Sequence, residues 1–465
     1  MNFFVRRGFS VASAAKMLGL SASSGRRYYV CISFKIFQQV YKRFLVFFIC
    51  FNCFTQLLPA QQKVDSLTIS LPQAEELFRK NNLQLLAQKY SIDSARANII
   101  TAKLYDNPEF GFATSFYQPV TKKFFDFSND NREIGLQYSQ LIKTAGKRNK
   151  AIQLAKTGVQ ITEYQFYDIL RTLRYTLRND FYNIYYLEQI QRVYNIEIQS
   201  LQKTTAAFEE QVPKGNIALK ELMRIKSQLY TLQAELVSLQ GTIDDVQSEF
   251  KLLIRAKAYG YIVPLATIDE TPKNIVQNVS YQSLVDSAYL NRYDLKMAKS
   301  ALIQSQQNLS LQKALAVPDI TLSAGYDRLG SFVKNYNNIG FGISVPVFNR
   351  NQGYIKQADA IVAGAKVQVN ATQDGIESQV ANAYLGAVRA ERLLNSFDPG
   401  FEKKLNTFIS EVTQNYERRN ITLLEFIDFY DSFKQNVVQL NNLRFSLVSQ
   451  FEQLNFTTGT NIFNQ

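Results

Sequence analysis

The sequence has no histidine and no tryptophan among its 465 residues, and its three cysteines, Cys31, Cys50 and Cys53, all precede residue 60. Without histidine the commonest general base is missing, and without cysteine the remainder has no thiol nucleophile. After residue 60 only hard oxygen ligands remain, and these bind copper, silver or zinc poorly. Disulfides and thiolate metal sites are excluded there as well. We therefore expect a protein that is not an enzyme, with no cofactor and no metal site.

Long apolar runs are also absent after residue 60, because charged residues interrupt every apolar segment. A membrane-spanning helix needs about 20 apolar residues, so this pattern excludes an α-helical membrane protein. The net charge is +13, but eight Lys or Arg residues and no acid fall in the first 60 residues. The remainder is only mildly basic, which disfavours a nucleic-acid partner.

Residues 1 to 60 have the layout of a presequence. Lys42 and Arg43 precede an apolar stretch over residues 44 to 58, and Pro59 and Ala60 follow it. This order is typical of a secretory signal peptide, with cleavage after Ala60. A membrane anchor is the alternative, although it would need a longer apolar stretch.

A unit of about 200 residues occurs twice. Four segments recur in the same order at separations of 210 to 204 residues: 82–85 with 292–295, 108–110 with 318–320, 133–136 with 338–341, and 214–222 with 418–426. This period is far longer than that of solenoid repeats. The sequence predicts a first repeat over residues 61 to 254, a linker over 255 to 280, where Gly and Pro break the pattern, and a second repeat over 281 to 465.

Each repeat combines two strands with long helices, of which the longest are predicted over residues 143 to 210 and 348 to 415. From Leu222 to Leu253 apolar residues recur at alternating intervals of three and four, which is the seam of a coiled coil. At four places, including Ile339, Phe341, Ile343 and Val345, apolar residues alternate with small or polar ones over about ten residues. Such segments suit tilted transmembrane strands, and half-buried strands of a soluble sheet show the same pattern. Four strands cannot close a membrane barrel, so either the sheet is soluble or several chains share one barrel.

Three motifs carry a family resemblance: Asn107-Pro108-Glu109, Thr144-Ala145-Gly146-Lys147-Arg148, and the segment from Pro346 to Gly353. Over residues 65 to 458 the chain resembles the TolC family of outer-membrane efflux channels, particularly its heavy-metal cation-efflux branch. The resemblance implies a mainly α fold with a small β part. In a homotrimer, four strands per chain would form a 12-stranded barrel in the outer membrane, and coiled-coil hairpins would form a periplasmic α-barrel.

The resemblance also implies functional sites. In the family, the two helix-turn-helix tips dock a periplasmic adaptor, and here the tips are Lys214, Gly215, Asn216 and Ile217, and Arg418, Arg419, Asn420 and Ile421. A periplasmic gate would comprise Tyr416, Glu425 and Asp428, and the lipid-facing strand residues would be Ile339, Phe341, Ile343 and Val345. Two positions depart from the family pattern, because Arg419 replaces a usual glycine and Ile421 replaces a gating arginine of some members.

The implied function is a passive export conduit for cations or small toxic compounds. Its partners would be further copies of itself, a periplasmic adaptor, an inner-membrane RND-type pump and outer-membrane lipid. Two alternatives stay open at this point: a channel for type I protein secretion, and a periplasmic structural coiled coil without transport function, which would leave the amphipathic strands unexplained.

Overall fold

The computed structural model describes residues 66 to 463, except 127, 129 to 131, 258 and 259, 267 to 273, 330 and 331, and 399. The predicted presequence of residues 1 to 60 lies outside the described residues. Among the helices that are described, not one has the apolar length that crossing a bilayer demands.

Helices make up most of the described chain. They are α1 Leu71–Asn81, α2 Leu83–Lys103, α3 Lys147–Gln211, α4 Leu219–Ile254, α5 Tyr281–Asn291, α6 Tyr293–Leu315, α7 Gln352–Asn395, α8 Phe401–Glu417 and α9 Leu423–Thr458. With 65 residues, α3 is about 100 Å long at 1.5 Å per residue. The two halves repeat the order short helix, longer helix, strand, strand, long helix, turn, long helix.

The second half departs from its sequence prediction at one point. The pattern over residues 348 to 415 predicts a single helix, but the structure has two, because α7 ends at Asn395 and α8 begins at Phe401. Gly400, the residue before α8, has a positive φ of 82°. The sequence has a proline at position 399, and a proline disfavours helical geometry in the residue before it. The prediction of one helix was therefore wrong.

Four strands form one antiparallel sheet in the order β2-β5-β7-β8. Its strands are β2 Glu109–Ala113, β5 Gly135–Ile142, β7 Ile320–Asp327 and β8 Tyr336–Ile343. A small hairpin, β3 Tyr117–Gln118 with β4 Lys123–Phe124, lies in the loop between β2 and β5. The predicted pair of strands per half is confirmed.

A second, parallel pair of strands was missed from the sequence. β1 Ser66–Ser70 pairs with β6 Tyr261–Leu265, which lies inside the predicted linker. In the sequence, Gly260 and Pro264 indicate a break in regular structure there. A proline is tolerated at the edge of a sheet, and both strands of a two-stranded sheet are edges.

The buried residues of the coiled-coil seam confirm the heptad prediction. Leu222, Ile225, Leu229 and Leu232 of α4 are all buried. They belong to a cluster that we call the tip cluster, formed by α3, α4, α8 and α9 beside the two helix reversals: Ile198, Leu201, Phe208, Leu222, Ile225, Leu229, Leu232, Val412, Leu423, Phe426 and Tyr430. Both helical hairpins therefore share one core at this end.

Candidate functional site: the sheet and the helical tips

The four-stranded sheet has one apolar face. Strand register places Phe110 opposite Tyr138, Tyr138 opposite Ala324, and Ala324 opposite Ile339, and directly opposed residues share a face. The whole face consists of Phe110, Phe112, Leu136, Tyr138, Gln140, Ile142, Ile320, Leu322, Ala324, Tyr326, Asn337, Ile339, Phe341 and Ile343. The other face carries mostly glycine, serine, threonine, asparagine and glutamine.

The apolar face is open to the surroundings. Ile339 is 92% exposed, Phe110 79% and Phe341 75%. A contiguous apolar face of this kind on a single chain marks contact with another chain or with lipid. The geometry therefore suits a membrane wall with an apolar outside and a polar inside.

Of the predicted lipid-facing residues, Ile339, Phe341 and Ile343 lie in β8, on the apolar face. Val345 does not lie in a strand, because β8 ends at Ile343, which pairs with Ile320, the first residue of β7. Beyond that pair, β7 offers no further residue to pair with. The predicted strand, which included Val345, was thus too long for the single chain. Contact of these side chains with lipid stays a prediction.

The junction between sheet and helices joins the two halves. Lys147, the first residue of α3, forms an ion pair with Asp319 at 2.6 Å, and its side chain is 5% exposed. Its ammonium group also donates a hydrogen bond to the carbonyl of Val317 at 2.7 Å. The backbone N–H of Thr144 donates to the same Asp319 carboxylate at 2.8 Å. The Thr144-to-Lys147 motif of the first half therefore fixes the start of β7 in the second.

The two tips repeat one backbone geometry. In each, an asparagine N–H donates to the carbonyl five residues earlier: Asn216 to Gln211 at 3.2 Å and Asn420 to Asn415 at 2.9 Å. The amide side chains of Asn216 and Asn420 also donate to the side chains of those same residues, Gln211 and Asn415. The shared Asn of the sequence repeat therefore caps a helix end in both halves.

Gly215 and Arg419 occupy the residue before that asparagine. Their φ angles are 75° and 59°, in the left-handed region that glycine enters without a steric penalty. Arginine at this place departs from the family pattern, yet it keeps the backbone of the glycine turn.

The predicted docking residues differ in accessibility. Lys214, Gly215, Asn216, Arg418, Arg419 and Asn420 are exposed, whereas Ile217 and Ile421 are half-buried. Both isoleucines pack against the tip cluster. The isoleucines therefore help to hold the tips together, and the exposed residues form the surface that is available to a partner. No docking partner tests these positions, and docking stays a prediction.

The three predicted gate residues have separate local contacts. Tyr416 stacks on Phe426, with ring centroids 4.2 Å apart, and burial, together with the charge of Glu221, raises the pKa of Tyr416 to about 12. Glu425 accepts hydrogen bonds from the backbone N–H and the hydroxyl of Thr422, both at 2.8 Å. Hydrogen bonds from Thr422 hold the pKa of Glu425 below its usual value. Asp428 is exposed on the same helix.

Glu425 therefore has a structural role that the sequence already signalled. Thr422 is the N-cap of α9 and forms a capping box with Glu425, which follows the Thr-x-x-Glu pattern. We missed this motif in the sequence. The role of Tyr416, Glu425 and Asp428 in gating stays a prediction.

A partly buried charge cluster joins the hairpins and was also missed. Lys434 of α9 contacts Glu235 of α4 at 2.9 Å and Asp431 at 3.0 Å. The hydroxyl of Tyr194 donates to Glu235 at 3.1 Å. Glu197 of α3 is 2% exposed, and burial raises its pKa to about 8, against the nearby charge of Lys434. Neither carboxylate oxygen of Glu197 has a hydrogen-bond partner in the described chain.

The described residues contain no group of three or more Asp, Glu, His or Cys side chains that could hold a metal ion.

Comparison with known proteins identifies the family. Residues 76–253 and 284–460 both match the family model described as outer membrane efflux protein. The chain belongs to the outer membrane efflux protein family.

Relatives of this efflux protein include a metal-resistance protein and a cation efflux protein. It is 19% identical over 378 residues to the cobalt-zinc-cadmium resistance protein CzcC of Cupriavidus metallidurans, covering 80% of this chain and 86% of CzcC. It is 21% identical over 264 residues to the cation efflux system protein CusC of Escherichia coli K12, covering 53% of this chain and 56% of CusC.

Solved structures share the fold. A crystal structure of CusC has a TM-score of 0.65 at 16% identity and covers 84% of this chain and 92% of CusC. The Campylobacter jejuni CmeC outer membrane channel has a TM-score of 0.67 at 14% identity, covering 85% and 87%. The predicted family, the mainly α fold with its internal duplication, and the function as an outer-membrane efflux channel are confirmed. A coiled coil without transport function is excluded.

Proposed function

We propose that three copies of this efflux protein form the outer-membrane end of a tripartite export assembly. The observation that carries this proposal is the four-stranded sheet, with its exposed apolar face and with β2 and β8 at its two edges. In lipid an unpaired strand edge leaves backbone groups without hydrogen bonds, so the edges must pair with other copies.

Three is the smallest number of copies that leaves a channel. Two copies would supply eight strands, and the interior of an eight-stranded barrel is filled by its own side chains. Three copies supply twelve strands, which enclose a wider lumen lined by the small and polar face of the sheet.

The helices next to the sheet also carry exposed apolar residues. Along α2, Leu83, Leu86, Tyr90 and Ile100 are exposed and lie on one side of the helix. On α7, Tyr354, Ile361 and Val367 are exposed as well. Such stripes on otherwise polar helices pack against neighbouring helices, and in the three-copy assembly they continue the wall of the channel into the periplasm.

At the other end, the exposed tip residues are the docking surface for a periplasmic adaptor, which links the channel to an inner-membrane RND-type pump. The cargo is a metal cation or a small toxic compound, by analogy with the cobalt-zinc-cadmium resistance protein CzcC and the cation efflux system protein CusC. Because the chain has no histidine, and no cysteine after residue 53, it offers passing soft metal ions no strong ligand. The channel is therefore a passive conduit, and the selection of cargo belongs to the pump.

Native mass measurement of the detergent-purified protein tests the assembly. We expect three copies, and single-channel conductance after reconstitution into planar bilayers. A protein that remains a monomer in aqueous buffer without detergent would contradict the proposal.

The docking role is tested by reversing charge at exposed tip residues only. K214E combined with R418E should reduce metal resistance to the level of a strain that lacks the channel, while three-copy assemblies persist in the membrane. K356E, at an exposed lysine of α7, is the matched control and should leave resistance unchanged. Full resistance in the double variant would refute docking at the tips.

A further inference from the structure

The internal duplication can be used to derive how one copy of the chain pairs with the next. Pro108 and Pro318 lie 210 residues apart, and so do Asn82 and Arg292, the N-caps of α2 and α6. Gly146 and Asn351, the N-caps of α3 and α7, lie 205 residues apart, and both have positive φ. β2 therefore corresponds to β7 at one separation, and β5 to β8 at the other.

Strand register confirms this correspondence. In the first half, Glu109 of β2 pairs with Ser139 of β5. Adding the two separations predicts that Asp319 would fall opposite Ser344, which is the register in which Ile320 pairs with Ile343 in the second half. Both halves therefore use the same hairpin register.

The remaining intrachain contact, between β5 and β7, joins the end of one half to the start of the other. It pairs Ile142 with Ile320 and Gln140 with Leu322. Its counterpart would join β8 to β2, but these are the two outer strands of the sheet and lie on opposite edges. Within the described chain this contact is not made.

Resting on the proposed three-copy channel, we propose that β8 pairs antiparallel with β2 of a second copy in the register that places Val345 opposite Phe112 and Val347 opposite Phe110. These positions follow from the β5–β7 register. Each β5 residue is replaced by its β8 counterpart, 205 residues later, and each β7 residue by its β2 counterpart, 210 residues earlier. They bring apolar side chains of both copies onto one face, as the alternation requires. β8 then extends to Val347, as its counterpart β5 extends to Ile142.

The junction at the base of the sheet agrees with this pairing. Lys147 and Asp319 form an ion pair between the halves, and their counterparts by the same separations are Gln352 and Glu109. Both are exposed in the single chain. The pairing brings Gln352 of one copy to Glu109 of the next, where an amide can donate a hydrogen bond to the carboxylate. Pro346 falls opposite Gly111 and removes at most one donor from the ladder.

Disulfide cross-linking tests the register. The natural cysteines all precede residue 60, and each single-cysteine variant measures the background of disulfides that do not join the two introduced cysteines. V345C combined with F112C, and S344C combined with A113C, introduce pairs that are directly opposed in the proposed register, one on each face. V345C combined with F110C, and V345C combined with T114C, are matched controls shifted by two residues.

Any such disulfide must join two copies. Two strands separate β2 from β8 within one chain, so these strands are about 14 Å apart, whereas a disulfide needs Cα atoms within about 7 Å. After mild oxidation in membranes, we expect covalent dimers and trimers from the opposed pairs. Their yield should be at least about tenfold above that of the shifted controls, because diagonal neighbours are too far apart.

The outcomes separate this inference from the proposed function. If native mass shows three copies but cross-linking is strongest in a shifted pair or is absent from all pairs, the register is wrong and the proposed three-copy channel still stands. A monomer by native mass would overturn the proposed function itself.

Discussion

Gly215 and Arg419 hold the same place in two copies of one turn, at φ angles of 75° and 59°. A side chain in the left-handed region costs roughly 1–2 kcal/mol. Arg419 adopts this conformation despite the cost. Backbone hydrogen bonds from Asn420 to Asn415 and from Arg419 to Tyr416 hold the turn in the same geometry as the first tip. Sequence alone showed the departure from glycine, and only the backbone shows that the geometry survives it.

G215A should therefore destabilise the first tip by about 1 kcal/mol. The added methyl group would meet no atom within 4 Å, so the backbone strain acts alone. G241A is the control, because Gly241 lies within α4 with equally open space and alanine should stabilise a helix there by roughly 0.5–1 kcal/mol. Hydrogen exchange of the amides around each substituted residue measures both effects, and equal shifts in the same direction would contradict the role of φ.

Glu197 is a buried acid whose charge state bears on stability. Its pKa in the folded protein is about 8, above the ordinary value of 4.5, so the folded state binds a proton that the unfolded state releases in this range. The contribution of Glu197 to stability is then fully present below pH 4.5 and is lost as pH rises toward 8, by at most about 1.4 kcal/mol per pH unit. Lys434 and Asp431 on α9 and Glu235 on α4 are the charges that act on this pKa.

E197Q should abolish this part of the pH dependence, since glutamine has no proton to release. Thermal unfolding of the helices, followed by circular dichroism between pH 5 and 8, measures the slope. E210Q replaces an exposed acid of the same helix and should keep the wild-type slope. An unchanged slope in E197Q would show that Glu197 is ionised throughout.

At the scale of elements, patterns that depend on neighbouring residues were predictable and long-range pairings were not. The heptads of α4 and the alternation of β7 and β8 follow from periodicity, because burial on one face repeats with the geometry of the element. The β1–β6 pair joins segments about 195 residues apart, and no local signal shows which strands meet. The ion pair of Lys434 was missed for the same reason, since its partner Glu235 is on a helix that is far away in the sequence.

The two faces of β8 should differ in their tolerance of charge. I339R places a cation on the exposed apolar face and should cost roughly 2–4 kcal/mol near the bilayer midplane. N338R, one residue earlier and on the opposite face, should be tolerated because that face would line the water-filled lumen of the proposed barrel. The fraction of folded, heat-modifiable trimer in membranes measures the effect. Equal losses in both variants would show that β8 does not lie in a membrane wall.

At the scale of the whole molecule, the acids near the second tip bear on conduction. Glu425 and Asp428 lie three residues apart on α9 and are exposed, so they project to one side of the helix. In the three-copy assembly they would contribute six carboxylates to one constriction, and rings of acids favour cations.

E425Q combined with D428N should therefore lower cation selectivity and weaken block by multivalent cations in planar bilayers. Glutamine can keep the capping box with Thr422, so α9 should stay capped while the charge is removed. T422A is the control that weakens the cap and leaves both charges in place. If reversal potential and block match the wild type in the double variant, the selectivity of the channel is set elsewhere.

The break between α7 and α8 makes the two halves of the chain unequal. Where α3 runs as one rod of 65 residues, its counterpart is divided between Asn395 and Phe401. A continuous helix bends only gently, whereas a divided one can pivot at the division. α8 is 17 residues long, or about 25 Å, so a small rotation about its N-terminal end displaces the second tip by several ångströms. In the proposed three-copy assembly, continuous and divided helices would alternate around the ring, and bending would be concentrated at the three divisions.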